Sequence, residues 1–124
     1  MSGDKLDVLE ARALKSIEEM ASAFGNTVKP NARIIVKKSG RVVELNNCEV
    51  FTPKNFQMWV RLDSDDGQGM EITASNDTEN AGAFVLHHQA GESWGKIFRG
   101  VVIHRTEKGW TMEDERIKIE IDQN

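Results

Sequence analysis

The 124 residues suffice for one domain and leave no stretch long enough for a second. An apolar share of 39% with 29% charged residues excludes general disorder. A net charge of −4 argues against a nucleic-acid partner, because neutralising phosphates usually takes a basic surface.

The first element is a helix, expected over about 4–25. Leu6, Leu9, Ala13, Ile17, Met20 and Phe24 recur at spacings of three and four and draw one apolar stripe, which Leu14 and Ala21 widen. Asp4 is the expected N-cap, and Gly25, Asn26 and Pro30 end the helix. Nothing before the stripe forms the apolar run of a signal peptide or anchor, and no segment approaches a membrane span.

From about 32 to 122 the apolar period is two. Ile34 and Val36 precede Ser39-Gly40, and Val43 and Leu45 follow. A two-residue turn there pairs residue 36 with 43 and 34 with 45. Phe56, Met58, Val60 and Leu62 alternate with polar residues up to Asp63-Ser64-Asp65-Asp66-Gly67-Gln68, and Met70, Ile72 and Ala74 alternate after it. Apolar residues then meet as 62 with 70 and 60 with 72, and Arg61 meets Glu71. Residues 83–89 and 96–99 supply further strand, joined by a loop containing Trp94. Val101, Ile103 and Arg105 form a strand that turns at 106–109 into Trp110 and Met112. A tight turn at Asp114-Glu115 returns the chain through Ile117, Ile119 and Ile121, with Met112 facing Ile117 and Trp110 facing Ile119.

The expected fold is therefore α+β in one domain, 1–124. A single N-terminal amphipathic helix packs on, or plugs, a seven- to eight-strand antiparallel up-and-down meander, with two arrangements open: a closed or half-closed barrel, or a sheet wrapped round the helix.

Chemical motifs are weak. The acidic run at 63–71 fails the calcium-loop spacing in both registers: counting back from Gly67 puts Leu62 first, and counting from Gly69 puts Ser75 twelfth. It reads as a solvated hairpin turn. His87 and His88 are adjacent in a strand and point to opposite faces, and His104 lies on another strand. No cysteine or carboxylate completes a ligand set, so no metal or other cofactor is expected. Gly91-Glu92-Ser93-Trp94-Gly95 has the letters of a nucleophile elbow, but a strand follows where that turn needs a helix. Cys48, the single cysteine, suits a reducing, cytoplasmic setting and reads as a buried structural thiol. No nucleophile or acid–base pair can be assembled, so an enzyme is not expected.

The strongest functional signal is apolar surplus on the outward parity of the strands: Trp59, Phe98 and Val102, with His104 and the Trp94 loop beside them. It points to a non-enzymatic protein-binding module whose partner is another protein or a second copy of the chain. Small bacterial or phage accessory, inhibitor and immunity proteins are of this kind. The alternative is a small-molecule-binding cup lined by Phe56, Met58, Met70, Phe84, Ile103 and Met112, with Arg99 or His88 orienting the ligand.

Overall fold

The computed structural model describes residues 2–24, 29–52, 59–76, 81–88 and 95–123, with side chains for all of these except 2–6 and 95–101. Helix α1 spans Ser2–Phe24. Ten strands follow. β1 (Asn31–Val36) and β2 (Val42–Leu45) lead to β3 (Glu49–Phe51), β4 (Trp59–Asp63), β5 (Gly69–Ser75), β6 (Gly82–His88) and β7 (Gly95–Val101). β8 (His104–Arg105), β9 (Gly109–Glu113) and β10 (Ile117–Asp122) complete the chain.

The strands form two antiparallel five-stranded sheets. One has the order β2-β1-β10-β9-β8 and the other β3-β4-β5-β6-β7. Every strand therefore neighbours its predecessor in sequence, in a sheet or at a seam, and the first strand pairs with the last. Asn31 lies opposite Asp122 and Val36 opposite Ile117. The cycle is interrupted at two seams. The chain leaves β2 for β3 through Asn46-Asn47-Cys48, and β7 for β8 through Val102-Ile103. No ladder joins either pair, so the sheets do not close into a barrel. At the first seam Ser64 Oγ lies 3.3 Å from both the backbone N and O of Asn46, which fastens the second sheet to the first.

Helix α1 packs its stripe against β4, β5 and β6. Ala13, Ile17, Met20 and Phe24 are buried, Leu14 and Ala23 pack beside them, and the acidic and basic residues between remain exposed. A stripe at spacings of four, three and four presents one side of a helix, so burying it supplies the tertiary support that an isolated helix lacks. Phe24 meets Trp110 of the other sheet edge-on, with centroids 5.2 Å apart. One core cluster thus joins the helix to both sheets, through Val60, Leu62, Met70, Ile72 and Val85 on one side and Ile34, Leu45, Met112, Ile119 and Ile121 on the other. The helix begins two residues earlier than its expected cap, so Asp4 is inside it. Gly25 and Asn26 lie outside the described residues.

The 60–72 and 62–70 pairs form as expected, with Arg61 opposite Glu71. The turn between them is held by Ser64 N–H to the Gln68 carbonyl at 2.8 Å, and by the Asp66 carboxylate, which accepts from Gln68 N and Nε2 at 3.1 Å. Two other hairpins differ from expectation by a shift of two residues. Ile34 faces Val43 and Ala32 faces Leu45, so the first loop has four residues, 37–40, instead of two. A two-residue turn at Ser39-Gly40 would need positive φ at Ser39. The chain instead makes a helical turn, closed by Gly40 N–H to the Val36 carbonyl at 2.8 Å, and puts the positive φ, 73°, at Gly40 alone. In the C-terminal hairpin Met112 faces Ile119 and Trp110 faces Ile121. Its turn is at 115–116, because the Asp114 carboxylate accepts from the backbone N–H of Arg116 (2.7 Å) and Ile117 (2.8 Å) and so fixes Asp114 as the corner. Both shifts are even, so every side chain keeps its expected face. The expected strand through Val101, Ile103 and Arg105 is in fact divided, its two parts belonging to different sheets.

Candidate functional site

Two surfaces carry the residues singled out above. The first is the outer face of β3–β6. Val60, Leu62, Ile72 and Val85 are buried, so strand alternation turns Trp59, Arg61, Thr73, Phe84 and Leu86 to the opposite side. Trp59, Thr73 and Phe84 form one cross-strand row, and Phe51, Arg61, Glu71 and Leu86 form the next. Phe84 therefore does not line an inner cavity, as the sequence suggested. It sits opposite Thr73, while its neighbours Ala83 and Val85 point into the core.

Phe51 is 44% exposed and has the Arg61 guanidinium 5.8 Å from its ring centroid. Arg61 also donates from Nε to Asp63 Oδ1 at 2.8 Å. That bond, and the nearby charges of Asp63 and Glu71, hold its pKa above the ordinary value. The outer face of the other sheet is mainly ionic, with Arg33 paired to Glu120 at 2.7 Å and Lys37 paired to Glu113.

The second surface is a groove of about 380 Å³ between α1 and the β7–β8 crossover. The helix contributes Leu9, Arg12, Lys15 and Glu19, and the crossover contributes Val102 and Ile103. His104 and Arg105 of β8 complete the wall. Val102 is 40% exposed, Ile103 packs on the core, and His104 and Arg105 are both exposed. The Arg105 guanidinium lies 4.1 Å over the Trp110 ring and donates to the Gly109 carbonyl at 3.0 Å and Gln123 Oε1 at 3.1 Å.

The predicted interaction patch is thus divided. Trp59 belongs to the outer face of its sheet, and Val102 and His104 belong to the helix side. Phe98 sits at the register position opposite Val85, in a strand whose pairing shifts twice between Ala83 and Leu86. These irregularities break the parity from which an outward Phe98 was inferred. The side chains of Phe98 and Arg99, and residues Trp94, Phe56 and Met58, lie outside what is described. Met70 and Met112 are fully buried in the common core.

Cys48 is buried at the first seam, its N–H bonded to the Pro30 carbonyl at 3.0 Å. Burial, and then the negative charges of Asp63, Asp65 and Asp66, push its thiol up to about 12, which leaves it protonated and poorly nucleophilic at neutral pH. Among the described residues no group of three or more His, Cys, Asp or Glu side chains could hold a metal ion, and no helix is long and apolar enough to cross a membrane.

Several residues of these surfaces were missed from the sequence, Phe51, Leu86 and Arg12 among them. Phe51 and Leu86 join the Trp59 face only through the registers of β3 with β4 and β5 with β6, and Arg12 reaches the groove across some 90 residues of chain. No family model, curated protein or solved structure matches the chain.

Proposed function

We propose that the chain is a non-enzymatic binding module that works by protein contact, and that it associates with a second copy of itself through the outer face of β3–β6. The observation that carries this reading is the group of Trp59, Phe84, Leu86 and Phe51 on the outer face of one sheet, Phe51 exposed and the other three half-buried. Aromatic residues dominate interface hot spots because they bury large areas at little entropic cost. Arg61 and Glu71 sit side by side within the cluster. A two-fold axis through the face sets each Arg61 against the other copy's Glu71 and aromatic surface against aromatic surface, the self-complementarity that an isologous contact needs.

Light scattering across a concentration series tests the reading, with Trp59→Ser and Phe51→Asp alongside. The expected result is a wild-type mass that rises from monomer to dimer, and variants that remain folded monomers by circular dichroism. A wild-type monomer at every concentration refutes self-association. A dimer that both variants preserve refutes the surface.

A further inference from the structure

The groove beside α1 lies on a different surface and has a different chemistry. β8 is the last strand of its sheet. It pairs with β9 on one side, His104 with Thr111 and Arg105 with Trp110, and among the described residues no strand pairs with its other edge. Natural sheets usually cover such an edge, and an uncovered one is a template for another extended segment. The helix does not close over it but stands across a groove of about 380 Å³, within the range of ligand-sized pockets.

The walls state what the groove would take. Arg12, Lys15 and Arg105 put three cations there against the single carboxylate of Glu19, in a chain whose net charge is −4. Among the described residues the side chains of Arg12, Lys15 and Glu19 make no ion pair or hydrogen bond. Arg105 is held in place over Trp110 by neutral acceptors, and among the described residues no carboxylate pairs with it. Leu9, Val102 and Ile103 add apolar surface to the same lining, with Val102 40% exposed.

We infer that this groove binds an extended acidic segment of a partner polypeptide, added as a strand to the free edge of β8. Its backbone would bond to the N–H and C=O of Arg105, which point away from β9, since His104 gives both of its backbone groups to Thr111. Alternate side chains point to opposite faces of a strand, so a segment alternating carboxylate with aliphatic residues would offer acids to Arg12, Lys15 and Arg105 on the helix side and aliphatics to Val102 on the other.

The probe is a fluorescein-labelled octapeptide alternating Glu and Val, titrated with the full chain and followed by anisotropy, with a Lys/Val octapeptide as control. Binding of the Glu/Val peptide alone is expected, weakening several-fold as salt rises from about 50 to about 200 mM. The Arg12→Glu, Lys15→Glu double variant changes two exposed helix positions and should weaken it at least tenfold, with circular dichroism unchanged. Of two versions of the peptide, one N-methylated at every Glu and one at every Val, at least one should lose at least tenfold, since alternate N–H groups point to opposite edges of a strand and one set faces β8. Trp59→Ser should bind as the wild type does, which separates this site from the self-association face. Absence of binding at about 1 mM, equal binding of the Lys/Val peptide, or indifference to the charge reversal overturns the site. Indifference to N-methylation overturns the strand addition.

Discussion

Gly109 opens β9, and its place there is dictated by space. A Cβ built on it falls 1.9 Å from the Ile121 carbonyl oxygen and 2.9 Å from that carbonyl carbon, both backbone atoms of β10. Reaching even 3.0 Å from the oxygen requires the strands to part by about 1.1 Å, which takes ladder hydrogen bonds beyond their working range. The pairing of Gly109 with Asp122 fails first, followed by the Gln123 N–H bond to the Lys108 carbonyl, 2.7 Å in the native chain. Two or three lost bonds at about 1 kcal/mol each, with overpacking of about 1–3 kcal/mol, predict that Gly109→Ala costs about 3–6 kcal/mol. For a chain of this size that is roughly 10–20 °C in Tm.

Gly40→Ala is the control. Nothing lies within 4 Å of its Cβ, but φ is +73°, so only backbone strain of about 1–2 kcal/mol applies. Urea unfolding followed by tryptophan fluorescence measures both, with the m-value checking that the unfolded state is unchanged. A Gly109→Ala cost equal to or below that of Gly40→Ala refutes the reasoning, because it would mean that β9 and β10 separate freely.

Met112→Ala removes a fully buried side chain and should cost about 2–5 kcal/mol in the same assay, whereas Phe84→Ala, on the outer face, should cost less than half as much. The Cys48 thiol ionises at about 12 in the folded chain against 9.0 when free. Between those values the unfolded state holds fewer protons, so stability falls as pH rises above about 9, by at most ~1.4 kcal/mol per pH unit, and Cys48→Ala should flatten that slope. The same thiol should react with Ellman's reagent far more slowly at pH 8 than in urea. Lys37 holds the Glu113 carboxyl below the usual carboxylate range, so their mutual stabilisation is present above that range and disappears as pH falls through the depressed value. In Lys37→Ala, carbon NMR should find the Glu113 titration moved back up.

The faces of the strands were legible in the sequence and the pairings only partly so, and one cause explains both. A period-two pattern is unchanged by a slip of two residues, so Ile34, Val43, Met112 and Ile119 are inward in either register. Only turn chemistry selects between them. At 64–68 the expected pairings and the turn agree. At 37–40 and 114–117 the decision rests on a left-handed Gly40 and on two bonds to one Asp114 carboxylate. Phe84 was misplaced because Ala83, Phe84, Val85 and Leu86 are all apolar, so no alternation in β6 marks which of them point inward. Trp59 was placed correctly because its alternation with Val60 and Leu62 is unbroken. The groove was illegible for another reason: Arg12 and Lys15 are ordinary solvated helix residues until the β7–β8 crossover is brought beside them.

The pairing of the first strand with the last also orders the events of folding. Ile34 and Ile119 are 85 residues apart in sequence, whereas Leu62 and Met70 are 8 apart. Closing the longer loop costs about 2 kcal/mol more chain entropy, before any contact within it gives a return. On a ribosome, β3 to β7 are all available to one another before β10 exists. The meander they form, with α1 to cover its inner side, is then the natural nucleus. The first hairpin waits with its Ile34 and Ala32 row unpaired until the final strand arrives, and that wait is the interval in which this chain is most exposed to aggregation.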